Sequence, residues 1–188
     1  MKTLITFLLG AMLLLVTGVT YAETACGGIV QFNDDCSNSG RGWHYSCCPD
    51  GYRVQGVAYN DIKGQDHVDA ISAVCRSISK GNDIMTEDFS RQPKTFVCDK
   101  SEVMAGTGSK DVLTDSGSFR DSLDGVTAFC QKPGSDGMRR IGNGDIDGNK
   151  RAERQQTVLL PKRIVGIGYK ELDKGESDRA DCVAIVTK

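Results

Sequence analysis

From residue 48 onward, apolar runs of four to eight residues rich in Val and Ile alternate with stretches of Gly, Asp, Asn and Lys. Short β-branched runs bounded by turn residues predict strands. A helical stripe of several turns is missing after the first 22 residues. Asp66–Ile78 alone has apolar spacing that could suit a helix. Its counterparts further along, Gly125–Cys130 and Cys182–Thr187, are strand-like, and that consistency assigns the whole set to strands. The reading is an all-β fold.

The counterparts exist because the chain repeats itself three times. Arg53-Val-Gln-Gly-Val-Ala-Tyr59 precedes Asp66-His-Val-Asp-Ala-Ile-Ser-Ala-Val-Cys75. Val103-Met-Ala-Gly-Thr-Gly-Ser109 precedes Asp121-Ser-Leu-Asp-Gly-Val-Thr-Ala-Phe-Cys130. Arg163-Ile-Val-Gly-Ile-Gly-Tyr169 precedes Asp178-Arg-Ala-Asp-Cys-Val-Ala-Ile-Val-Thr187. Gly56, Gly106 and Gly166 coincide, and a small residue follows two places on: Ala58, Gly108 and Gly168. From each glycine to the first Asp the chain takes 10, 15 and 12 residues. Loops absorb such changes and strands do not. Two strands per copy follow, in pseudo-equivalent repeats at about 48–80, 98–132 and 158–188. A glycine inside a strand marks a bulge, a bend or a close backbone approach.

Eight cysteines lie beyond residue 22: Cys26, Cys36, Cys47, Cys48, Cys75, Cys98, Cys130 and Cys182. An even count in an exported chain reads as a disulfide framework. No two are spaced as in a zinc knuckle. Cys48 and Cys98 each stand eight residues before the repeat glycine, and Cys75 and Cys130 close their copies. The third copy has Val158 and Thr187 at those places. Two equivalent bridges follow, Cys48–Cys75 and Cys98–Cys130. Cys26, Cys36, Cys47 and Cys182 admit three pairings. Adjacent Cys47 and Cys48 are expected to take different partners.

Export is read from the first residues. Lys2 is the sole charge before Glu23, an almost wholly apolar stretch covers Leu4–Val16, and the small-residue step Thr20-Tyr21-Ala22 follows. That order is the layout of a secretory signal peptide over 1–22. The apolar stretch falls short of the ~20 residues of a spanning helix, so no membrane span is expected after cleavage. Cleavage removes Lys2 and leaves 22 basic against 25 acidic side chains, a net of −3. That balance argues against nucleic acid as a partner. The expected location is secreted, extracellular, or periplasmic if the source is bacterial. Residues 23–47 read as a cysteine-containing N-terminal extension, and 48–188 as the three-repeat domain.

Candidate chemistry centres on oxygen donors and aromatic faces. Asp66/Asp69, Asp121/Asp124 and Asp178/Asp181 open the second strand of each copy. Asp there caps turns through its own backbone, binds Ca²⁺ as a hard donor, or accepts hydrogen bonds from sugar hydroxyls. Asn143, Asp145, Asp147 and Asn149 alternate as in the first half of a calcium loop, with Gly148 for the turn. Arg154 stands where such a loop has its bidentate acid. Ca²⁺ is the one cofactor the sequence admits. Trp43, in Trp43-His44-Tyr45, offers a flat face for a sugar ring or an apolar anchor. Tyr59 and Tyr169, at the ends of the first strands, join it as ligand candidates. No catalytic residues are assigned: His44 and His67 lie in different segments, and no Ser or Cys stands in a nucleophile motif.

Cys48-Pro49-Asp50-Gly51-Tyr52, then a strand with a glycine, an Asp-rich loop and a strand ending in Cys75, resembles the repeat of the vitelline membrane outer layer protein I family. The resemblance covers roughly 48–188. It implies a β-prism, three Greek-key sheets about a pseudo-threefold axis. The chain departs from it in having Asp69, Asp124 and Asp181 where that family tends to have Asn, and in the cysteines missing from the third copy. Its members are extracellular coat proteins, and related prisms are lectins. The implied function is a non-catalytic secreted module that binds glycans or packs into an extracellular matrix or coat. Alternatives are a carboxylate-dependent glycan-processing enzyme, or a secreted protein-binding factor such as an inhibitor or effector.

Overall fold

A computed structural model describes residues 24–32, 42–61, 68–86, 89, 92–113, 119–142, 154–158, 162–171 and 180–188. Every regular element among them is a strand. They are β1 (Thr24–Ala25), β2 (Gly28–Phe32), β3 (Trp43–Cys47), β4 (Tyr52–Asp61), β5 (Val68–Ser77), β6 (Asp83–Met85), β7 (Lys94–Val97), β8 (Val103–Leu113), β9 (Phe119–Gln131), β10 (Met138–Ile141), β11 (Arg154–Thr157), β12 (Ile164–Glu171) and β13 (Ala180–Thr187). Asp66–Ile78 is no helix in its described part, since β5 takes up nearly all of it.

The strands form three antiparallel sheets with orders β6-β5-β4-β7, β10-β9-β8-β11 and β1-β2-β13-β12-β3. Each sheet is built on one sequence repeat, whose two long strands are its central pair. The three central pairs turn one face inward onto a common core of Val54, Val57, Ile71, Leu123, Val126, Ile164, Ile167, Val183 and Ile185. Burying side chains of this size stabilises by about 1.5–3 kcal/mol each. Three sheets around one apolar axis make a prism.

Each repeat carries two bulges at matching places. In the first, Val54 pairs with Cys75 and Gly56 with Val74, so Gln55 is the extra residue. Ala105 and Val165 are extra at the same step of the other two sheets. The carbonyl of each extra residue accepts an N–H from the residue that follows its sheet's outer strand: Cys98 to Gln55 (2.8 Å), Val158 to Ala105 (2.8 Å) and Cys48 to Val165 (2.9 Å). The chain thus closes in a ring. Its closure explains why Cys48, Cys98 and Val158 share one place in the repeat.

The glycine beside each bulge is required by close approach. A Cβ on Gly56 would stand 2.1 Å from the Phe96 carbonyl oxygen, and one on Gly106 would stand 2.2 Å from that of Gln156. In the third sheet the crowding atom is different: the Sγ of Cys26, 2.5 Å away.

Strands β1, β2 and β3 complete the third sheet. Strand β2 pairs with β13 and β3 with β12, which gives this sheet the outer strands that β6 and β7 give the first. A two-residue turn at Cys26 (φ 53°) and Gly27 (φ 67°) joins β1 to β2. Positive φ at both central positions matches the right-handed twist of a hairpin. Cys26 bonds to Cys47, Cys48 to Cys75 and Cys98 to Cys130. Adjacent Cys47 and Cys48 therefore serve different partners. Cys182 is disulfide-bonded too, and Cys36 lies outside the described residues. Val158 and Thr187 occupy the place of the bridge in the third repeat, both buried.

Candidate functional site

The second Asp of each Asp-x-x-Asp pair has a structural position that the sequence pattern only hinted at. Asn60 pairs with Ala70 and Asp61 with Val68, leaving Asp69 as the extra residue of a second bulge. Asp124 is extra between Gly125 and Leu123, and Asp181 between Cys182 and Ala180. A bulge bends its strand and sharpens the twist. One demand for strand curvature, met three times, accounts for the repetition of these aspartates. They sit on three separate sheets. Asp121 is placed in β9 by its backbone. Asp66, Asp178 and the loop with Asn143, Asp145, Asp147 and Asn149 lie outside the described residues.

The aromatic candidates separate sharply. Tyr59 is wholly enclosed, 0% exposed, with its ring 6.0 Å from that of Phe96. It is a core residue and cannot face a ligand. Its place follows from strand alternation, which turns Val57 and Tyr59 to the same side. Tyr169 is also buried, at 8%, and His44 stacks on it with centroids 5.0 Å apart and planes 16° from parallel. Tyr169 therefore reaches the surface through His44.

Trp43 is different. Strand β3 sets Trp43 opposite Lys170, His44 opposite Tyr169 and Tyr45 opposite Gly168. Alternation then turns Trp43 and Tyr45 away from the main core. Their rings stack, 5.8 Å apart and 21° from parallel, and both are partly exposed. Beneath them a small cluster of Val30, Val165, Ala184 and Val186 covers the outer side of the third sheet. Tyr45 lies flat over Gly168: a Cβ there would meet its ring at 2.7 Å. The small residue of the third repeat thus makes room for an aromatic ring. Trp43 is both an anchor and a surface, because one side packs on the cluster and the other faces out.

A polar pair lies on the opposite face of β3 and β12, since alternation turns His44 and Glu171 to the side of Tyr169. His44 Nε2 lies 3.4 Å from Glu171 Oε1, with His44 half exposed and Glu171 mostly covered. Glu171 ends β12, so the pair lies toward the end of the sheet where Asp181 interrupts β13. Sequence reasoning noted Trp43-His44-Tyr45 but missed Glu171 and the role of Gly168. Only the pairing of β3 with β12, whose partners lie 119 to 127 residues apart, brings them together.

Two other constellations are structural. Cys98, Glu102 and Cys130 bring three potential metal donors together, but both sulfurs are committed to one disulfide. Glu102 binds Arg139 at 2.6 Å, and Asp99 binds the same guanidinium at 3.1 Å. Hydrogen bonding from Arg139 holds the Glu102 carboxyl below its usual range. A carboxylate kept ionised in this way is a clamp within the second repeat's sheet and a poor proton donor. Among the described residues no helix is long and apolar enough to cross a membrane.

No family model matches the chain, and no curated protein matches it. Similar solved structures include the Calystegia sepium agglutinin, at 10% identity and a TM-score of 0.48 over 86% of this chain and 96% of that one. A Malaysian banana lectin gives 14% and 0.46, over 80% and 93%. A prostate-specific WGA16 glycoprotein lectin gives 9% and 0.49, over 79% and 94%. At such values the ligand has to be read from the residues of this chain.

Proposed function

We propose that this protein is a secreted, non-catalytic glycan-binding module, with the Trp43–Tyr45 platform as its sugar-contacting surface. The observation that carries the reading is the partly exposed, nearly parallel ring pair on an edge strand. A flat aromatic face takes up the C–H face of a sugar ring, while neighbouring polar groups bond its hydroxyls. Lys170, opposite Trp43 on the same face, is placed to be such a group. The edge strand leaves the platform open to an extended ligand. The bridges suit an oxidising compartment and fit the export signal read in residues 1–22. Kinship with the vitelline membrane outer layer family belongs to this proposal, as does Ca²⁺ binding by Asn143–Asn149. Both rest on sequence motifs.

The test is a glycan array probed with the oxidised, signal-free protein and with Trp43→Ala, each in Ca²⁺ and then in chelator. Selective binding that falls about tenfold or more in Trp43→Ala, at an unchanged melting temperature, supports the platform. Loss of binding in chelator adds Ca²⁺ to the site. A blank array, or equal binding by Trp43→Ala, rejects the platform and favours a protein partner or a coat role.

A further inference from the structure

A pit opens at the end of the prism opposite the Asp bulges, where the three first strands begin. It is lined by Arg53 and Val54 of β4, Val103 and Met104 of β8, and Arg163 and Ile164 at the start of β12. These are the same two places of the repeat, three and two residues before the glycine, so the pit lies on the pseudo-threefold axis. Its floor is the end of the main core: Val54, Met104 and Ile164 are at most 3% exposed. Its volume is about 230 Å³, room for a short alkyl chain or one aromatic ring. On its rim Ile78 is 59% exposed, an apolar side chain left in water beside an apolar hollow.

The rim is cationic. Arg53, Arg163 and Lys162 line the pit, and an adjoining recess that shares Arg53 and Ile78 adds Lys80 and Lys100. Among the described residues no carboxylate lines either hollow. None of these five cations forms an ion pair among the described residues. Arg53 spends one N–H on Gln55 Oε1 (3.2 Å). The neighbouring cation Arg76 is different, since Asp83 neutralises it through two bonds of 2.6 and 2.8 Å. Nearby Asp99 and Glu102 are engaged by Arg139. A chain whose formal net charge is −2 thus gathers five positive charges around one apolar hollow, with no ion pair to any of them among the described residues. Like charges collected without partners raise the local potential, and a low-dielectric wall focuses it.

We propose that this pit binds a small amphipathic organic anion: one carboxylate, sulfate or sulfonate on a short apolar body. The body fills the hollow over Val54, Met104 and Ile164, and the head bonds Arg53 and Arg163. Guanidinium groups suit such a head through paired N–H donors. The apolar floor separates this ligand from a polyanionic sugar chain, which would need only the rim.

Calorimetric titration of the oxidised protein tests it with three probes: octyl sulfate below its micelle concentration, octyltrimethylammonium with the same tail and opposite charge, and inorganic sulfate as the head alone. The expected result is one octyl sulfate per chain, with both other probes weaker by about tenfold or more. Arg53→Ala with Arg163→Ala should weaken octyl sulfate by a similar factor, and Val103→Trp should block it by filling the mouth. Thermal melts of each variant verify folding, and should Val103→Trp fail to fold, the arginine pair still decides. Equal binding of the cationic probe, several octyl sulfates per chain, unchanged affinity in the arginine double variant, or inorganic sulfate binding as well as octyl sulfate would each overturn it.

Discussion

The third repeat is a natural control for what the bridges contribute. Cys98, which follows β7, bonds to Cys130 of β9, and Val158 and Thr187 stand at the equivalent place in the third repeat. Replacing Cys98→Val together with Cys130→Thr therefore imports a pair the fold already tolerates at that position. Packing is largely kept, so the change should act mainly on the unfolded chain. The bridge closes a loop of sequence separation 32, and the loop-closure relation gives about 3.7 kcal/mol for that length. The converse pair, Val158→Cys with Thr187→Cys, closes a comparable loop and should add stability, though engineered bridges commonly deliver less than the relation predicts. Urea unfolding at equilibrium measures both. The bridgeless variant should lose about 3–4 kcal/mol, and its m-value should rise because its unfolded state is freer to expand. The gain of the new bridge should vanish on adding a reductant to which the wild type is compared under the same conditions. A loss below about 1 kcal/mol, with m unchanged, would refute the argument. It would mean that the loop is already closed in the unfolded ensemble, or that Val and Thr do not reproduce the fit.

Two further predictions rest on local geometry. Gly56→Ala and Gly106→Ala force a Cβ to within 2.1–2.2 Å of a backbone oxygen, so each should cost about 1–3 kcal/mol or more in urea unfolding. Gly42→Ala, with open space around it, should be nearly neutral, and equal behaviour of all three would refute close approach as the reason for the glycines. Glu102→Gln concerns pH. The folded carboxyl is held below its ordinary value of 4.5 by Arg139. Its ionised form therefore stabilises the fold at neutral pH, and that contribution fades as pH falls through the depressed value. Wild type should exceed Glu102→Gln in melting temperature at pH 7, and the gap should close in acid, whereas a constant gap from pH 7 to pH 3 would refute the linkage.

Much of the architecture was legible in sequence because the repeat supplied its own controls. The helix-like spacing of Asp66–Ile78 was overruled by two counterparts, and β5 occupies that stretch. The Cys48–Cys75 and Cys98–Cys130 bridges followed from matching places in two copies. The strands before Cys48 escaped detection because they have no counterpart earlier in the chain. Their partners β12 and β13 lie at its far end, and periodicity carries no information about pairing at that range. The candidate site was less legible. Tyr59 and Tyr169 look alike at matching repeat places, and both are turned inward by strand alternation. Trp43 was visible as an unusual residue with Tyr45 two places on, yet the glycine seat under Tyr45 depends on the register of β3 against β12.

The threefold plan also separates fold from function. A feature present in all three repeats answers a demand that all three sheets share. The aspartates at 69, 124 and 181 meet that description, since each interrupts the same ladder at the same step. They are therefore weaker ligand candidates than their number suggests. A feature in one sheet only needs a different cause. Opposite the small residue of the first strand the outer strands carry Thr95, Gln155 and Tyr45. Thr or Gln satisfies the fold there, so the aromatic ring at 45, with Trp43 stacked beside it, exceeds what the sheet requires. The axis shows the same logic in another form. The place that opens the repeat strand holds Arg53, Val103 and Arg163 around one pit. Valine is enough to cover that end of the core. Two arginines on the rim of that pit, neither in an ion pair among the described residues, call for a reason outside the folding of the chain, and an anion bound between them supplies it.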